Sequence, residues 1–165
     1  KGSMKIARLL RYVLAISISI LLGGTAQAQD WKVTGVFAWL GVGKTFQIEK
    51  GHSYWVGEFS GTFINDKGPG SMFHGAGMKC PGFNDLNFND KRASAGGYCV
   101  ITDAEGDQAY VLWQGMGDTT SSKGTFMYTG GTGKYKGISG NNSWASPVSV
   151  NWPDGTVSGH TTFNR

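Results

Sequence analysis

Three groups of residues have types and spacing that could do chemistry. The first is Asp103-Ala104-Glu105-Gly106-Asp107, a dense run of carboxylates. Calcium takes about six to eight oxygens, and an EF-hand loop closes with a Glu at its twelfth position. Gln114 stands there instead, so the segment reads as a turn with Gly106 at its apex. The second is Ala38-Trp39-Leu40-Gly41-Val42-Gly43-Lys44-Thr45, which imitates a phosphate-binding loop with Ala at its first glycine position. That chemistry needs a helix after the Lys-Thr, whose N-terminal amides hold the phosphate. The alternating Phe46-Gln47-Ile48-Glu49 follows, and Gly41-Val42-Gly43 reads as a hairpin turn. The third is Glu58 and His74. A carboxylate turned into a small barrel is desolvated and its pKa rises, which suits a general acid or base. Glu58 could equally be salt-bridged or face water, and His74, between Met72 and Ala76, could be a structural histidine satisfied by a neighbour.

No Gly-x-Ser-x-Gly and no nucleophile–base spacing is present. The three histidines and two cysteines lack metal-ligand spacing. No metal and no cofactor is therefore expected. Aromatic residues are dense, and Tyr54, Tyr98, Tyr110 and Trp113 are the candidate ligand-binding residues. Such side chains line apolar pockets for flat ligands, and they also make the cores of small β domains.

The elements that must position these residues are strands. After residue 30 no helical period emerges, and 27 glycines punctuate short apolar/polar alternations. This is the pattern of an all-β sandwich or barrel. Predicted strands are Trp31–Leu40, Lys44–Glu49, His52–Ile64, Ser71–Cys80, Ala93–Asp103, Gln108–Gln114, Gly124–Thr129, Tyr135–Ile138, Asn142–Ala145 and Thr156–Phe163. An eight-stranded antiparallel barrel has an interior that side chains fill or that holds one small ligand. In His52–Ile64 one face carries Trp55, Phe59 and Phe63 with Gly57 and Gly61 between them; the other carries Tyr54, Val56 and Glu58. Both faces of several strands are partly apolar. That fits an occupied lumen together with an outer face covered by a loop, a leader or a second subunit, so a homo-oligomer is one expectation.

Gly130-Gly131-Thr132-Gly133-Lys134-Tyr135-Lys136-Gly137-Ile138-Ser139-Gly140 is too glycine-rich for a helix and too regular for a linker. It predicts two tight turns around a short strand, Lys134–Ile138, with Tyr135 packed inward and Gly140 in a conformation awkward for other residues. With Gly97–Asp107 upstream, this run resembles the bacterial relatives of the allene oxide cyclase and dirigent barrels, over roughly residues 31–165. The resemblance implies an antiparallel eight-stranded closed barrel, calycin-like, with a central cavity. It also implies the steering of a bound unsaturated lipid or phenolic molecule. No family catalytic residue maps onto this chain. Avidin-like and lipocalin-like barrels share the architecture.

Lys1-Gly2-Ser3 precedes Met4 and reads as a tag remnant. Residues 4–28 read as a secretory leader: Lys5, Arg8 and Arg11, then apolar Val13–Leu22, then Ala26-Gln27-Ala28 for cleavage after Ala28. The apolar run is about half the roughly 20 residues a membrane span needs, so no stable span is expected after cleavage. Residues 29–165 form the expected single barrel domain, periplasmic or secreted. Of the 15 basic residues, Lys1, Lys5, Arg8 and Arg11 lie before the cut, which leaves the domain with 11 bases against its 11 acids. Without a basic stripe a nucleic-acid partner is excluded. An exported pair of cysteines, Cys80 and Cys99, reads as a disulfide with Cα atoms roughly 4.4–6.8 Å apart.

Three functional readings follow. One is an exported barrel that holds a small apolar or aromatic molecule without turnover. The second is a cyclase- or isomerase-like enzyme using Glu58 or His74. The third is a structural or interaction protein of the cell envelope.

Overall fold

The alternating runs become long antiparallel strands in a computed structural model that describes residues 31–119, 121–147 and 150–164. The expected leader and its cleavage site lie outside the described residues. The strands are β1 (Gly35–Glu49), β2 (His52–Asn65), β3 (Gly77–Asn87), β4 (Arg92–Thr102), β5 (Gln108–Gly117), β6 (Ser122–Gly131), β7 (Asn141–Ser146), β8 (Val150–Asn151) and β9 (Val157–Phe163). Each pairs with its neighbour in the order β1-β2-β3-β4-β5-β6-β7-β9, and β9 pairs back onto β1. The result is a closed eight-stranded antiparallel barrel, with β8 as an extra strand on β9. Among the described residues no helix is long and apolar enough to cross a membrane.

Inward positions alternate with outward ones along every strand. Phe37, Trp55, Phe63, Met78, Cys80, Cys99, Ile101, Val111, Phe126, Trp144 and Phe163 are all buried. Leu40, Val42, Phe46 and Ile48 of β1 are exposed on the outside.

One end of the barrel is plugged. Phe73, Tyr135, Ile138 and Val33 join the core from the connecting segments there, with Phe73 and Tyr135 rings 4.7 Å apart. Asn142 ties the entering chain down: its Oδ1 accepts from the Val33 amide at 3.1 Å, and its Nδ2 donates to the Trp31 carbonyl at 3.0 Å. The other end is ringed by the hairpins after β1, β3, β5 and β8 and stays open.

Several local expectations change. Gly41-Val42-Gly43 is no turn: β1 runs through it in unbroken register with β2, because those glycines make room for aromatic rings inside the barrel. Residues 71–75 form turns, and β3 begins at Gly77 and continues to Asn87, so the segment after Cys80 is strand rather than irregular loop. The short strand expected over Lys134–Ile138 is replaced by a 3₁₀ turn, Gly133–Tyr135. The chain must cross the barrel floor there, and the Tyr135 amide donates back to the Thr132 carbonyl at 2.8 Å. Tyr135 is packed inward as expected, and Gly140 has φ 115°. Lys134 does not simply project into water: its Nζ lies 2.7 Å from both Asp103 Oδ2 and Glu105 Oε2.

Cys80 and Cys99 are bonded, facing each other from β3 and β4 inside the barrel. Their Cα separation is 4.0 Å, below the expected range. Directly opposed residues of a non-hydrogen-bonded antiparallel pair sit at about 4.5 Å, which accounts for the short span.

Candidate functional site

The open end leads into a cavity of about 470 Å³. Much of its lining is aromatic. Phe59 of β2 stands at the centre of a ring cluster, 4.9 Å from Trp39, 4.8 Å from Trp55 and 6.1 Å from Trp113. Trp113 in turn lies 6.1 Å from Trp144. The cluster draws on β1, β2, β5 and β7, so only the closed barrel assembles it.

Glycines make the space. Gly43, Gly57, Gly82 and Gly97 face one another in register across β1 to β4. A Cβ at Gly43 or Gly57 would lie 2.4 Å from Trp55 ring carbons, and one at Gly82 would lie 2.5 Å from Trp113. Gly115 holds Trp144 in the same way, at 2.3 Å. The indoles of Trp55, Trp113 and Trp144 are pressed onto bare backbone, which leaves room in the lumen.

Two of the four indoles satisfy their N–H within the protein. Trp39 Nε1 donates to Thr161 Oγ1 at 3.1 Å, and Trp144 Nε1 donates to the Thr125 carbonyl at 3.2 Å. Trp55 Nε1 and Trp113 Nε1 are buried without a partner among the described residues, as is the Tyr128 hydroxyl. Burial pushes the Tyr128 phenol well above its ordinary pKa, so it stays protonated. Polar side chains share the wall: Thr45 and Asn84 flank Trp55 in register, and Ser53 and Asn151 also line the cavity. Asp118 is the sole carboxylate among the described lining residues, and no lysine, arginine or histidine joins it.

Trp113 is the one sequence-predicted ligand residue in this cavity. Tyr54 and Tyr98 lie outside the barrel, along an outer groove with Phe83, Leu112 and Met116 that Trp113 also lines. Tyr54 stacks on Phe83 at 5.5 Å, and Tyr98 is 59% exposed. Tyr110 alternates with the inward Ala109 and Val111, and its hydroxyl donates to Gln108 Oε1 at 3.2 Å. Glu58 also faces outward and pairs with Lys79 at 3.4 Å. His74 sits in the turns after β2, with Nδ1 3.3 Å from the Asn65 carbonyl. The structure therefore does not bring Glu58 and His74 together, and neither lines the cavity.

Trp39, Trp55, Phe59 and Trp144 were the ring residues not singled out as binding residues. The usable signal was the Trp55-x-Gly57-x-Phe59-x-Gly61 alternation, which puts large rings and bare backbone on one strand face.

Two charged clusters lie elsewhere. At the rim, His52 Nε2 meets Asp85 Oδ1 at 2.6 Å, with Glu49 3.7 Å from Nδ1. At the plugged end, the Lys134 ammonium, 2.7 Å from Asp103 Oδ2, holds the Asp103 carboxyl down at about 2. Among the described residues no group of His, Cys, Asp and Glu side chains could hold a metal ion. No family model and no curated protein matches this chain.

Proposed function

We propose that this protein is an exported barrel that binds one small, flat, apolar or aromatic molecule in its lumen and does not transform it. The carrying observation is the cavity of about 470 Å³ lined by Trp39, Trp55, Phe59, Trp113 and Trp144. That volume is in the range of small-molecule sites, and aromatic walls with a few polar groups are their usual lining. The Cys80–Cys99 bond is compatible with an oxidising compartment, in keeping with export. Such a barrel is also what the resemblance to allene oxide cyclase and dirigent proteins implies.

Turnover has less support. Acid–base catalysis needs a titratable group within hydrogen-bond reach of the bound molecule. Glu58 is on the outer wall and His74 is bonded into a turn, so neither is within the lumen. Native mass spectrometry of the full chain against a set of flat aromatic compounds tests the proposal. One adduct per chain is expected, with the compound recovered unchanged; recovery of a rearranged product would favour the cyclase reading.

A further inference from the structure

We infer that the bound molecule is amphipathic and neutral: a flat apolar body carrying a polyhydroxylated head, as in an aryl glycoside. This rests on the lumenal-binding reading above and names the ligand class for that site.

The cavity sets polar groups beside aromatic rings. Thr45 and Asn84 flank Trp55 in register on the two neighbouring strands, and its wall offers hydroxyl and amide groups that no described residue uses. Ser53 is only 8% exposed and faces the cavity from β2, yet its hydroxyl has no partner among the described residues. Asn84 and Asn151 are uncommitted in the same way, as is the exposed Asn141 outside the cavity. Asn65, Asn87, Asn89, Asn142 and Asn164 all commit their amides to hydrogen bonds within the protein. Asn84 and Asn151 line the cavity and commit theirs to none among the described residues. Thr45 adds a further unused hydroxyl on β1. Each of these groups both donates and accepts, and none is charged. A sugar's hydroxyls need that combination, whereas an anionic head would call for lysine or arginine, and none lines the cavity.

The rim adds two aromatic rings. Phe88, beyond β3, and Trp152, beyond β8, both line the cavity and are 53% and 51% exposed. By strand order their hairpins stand on opposite sides of the mouth. Trp152 is held in place: its Nε1 donates to Ser158 Oγ at 3.0 Å, and its amide donates to the Thr156 carbonyl at 2.9 Å. Two exposed aromatic rings beside neutral hydrogen-bonding groups suit the C–H faces of a sugar ring, while the aglycone packs against the inner aromatic cluster.

Calorimetric titration of the full chain with 2-naphthyl β-glucoside, 2-naphthol and 2-naphthyl sulfate separates the head from the body. The glucoside should bind about ten-fold tighter than either of the others. Asn84→Ala combined with Asn151→Ala should bring the glucoside down to the level of 2-naphthol and leave 2-naphthol unchanged. The side-chain amides of these asparagines make no hydrogen bond among the described residues, so the fold should be retained, which circular dichroism checks. Binding of 2-naphthol as tight as the glucoside, or tightest binding of the sulfate, would overturn the glycoside assignment while leaving lumenal binding intact. No binding of any of the three would overturn both.

Discussion

The indole of Trp55 lies across the backbone of Gly43 on the neighbouring strand, so closely that a Cβ there would sit 2.4 Å from its ring carbons. This contact crosses β1 and β2, and the Val56 carbonyl stands 2.5 Å from the same point. Gly43→Ala should therefore force Trp55 off the wall and into the lumen. Overpacking of this kind costs about 1–3 kcal/mol. Thermal unfolding should show that loss together with weaker ligand binding. Gly77→Ala is the control: its nearest neighbour would be 3.9 Å away, and it should stay within about 0.5 kcal/mol of the parent.

Gly133 makes the corresponding contact at the plugged end. It has φ 48°, and an added Cβ would lie 1.8 Å from Asp107 Oδ1. Asp107 Oδ2 also accepts from the Lys134 amide at 3.0 Å, so a side chain at Gly133 breaks the turn and its anchor together. Gly133→Val should lower the melting temperature. A variant with full stability that lost ligand binding alone would make this segment a site rather than architecture.

Acid should loosen the same end. The adjacent Lys134 ammonium depresses the Asp103 carboxyl to about 2 from 3.8. A depressed carboxylate stabilises the fold above its unfolded pKa, and that contribution is lost as pH falls through the folded one. Stability should therefore decline between pH 4 and 2, measured by denaturant titration at each pH. Asp103→Asn should flatten that part of the profile.

The Cys80–Cys99 bond closes a sequence separation of 19 residues. In the chain-entropy model a loop of that size contributes about 3 kcal/mol. Replacing both cysteines with Ala should lower stability by that order. Intact mass of the oxidised full chain should be two hydrogens below that of the reduced one.

The barrel was legible in the sequence because period-two alternation and turn residues report strands directly. The face carrying Trp55, Phe59 and Phe63 was legible for the same reason. Which face was inside was not, since Tyr54 and Val56 are also apolar and only barrel closure decides. Tyr98 and Tyr110 looked like binding residues by type, yet their parity puts them opposite the inward Cys99 and Val111. Gly41 and Gly43 suggest a turn by type because glycine is ambiguous between positive φ and close approach. The register that places Trp55 on Gly43 is a tertiary fact, absent from either strand alone.

The central claim is that the lumen, lined by Trp113 and its neighbours, is the binding site. Fluorescence titration of the full chain with 1-aminoanthracene tests it most directly. The account expects saturable binding at one probe per chain with quenched tryptophan emission. Trp113→Ala should weaken it by about ten-fold or more, and Tyr98→Ala should leave it unchanged. No saturable binding, or loss in Tyr98→Ala with retention in a folded Trp113→Ala, would contradict it.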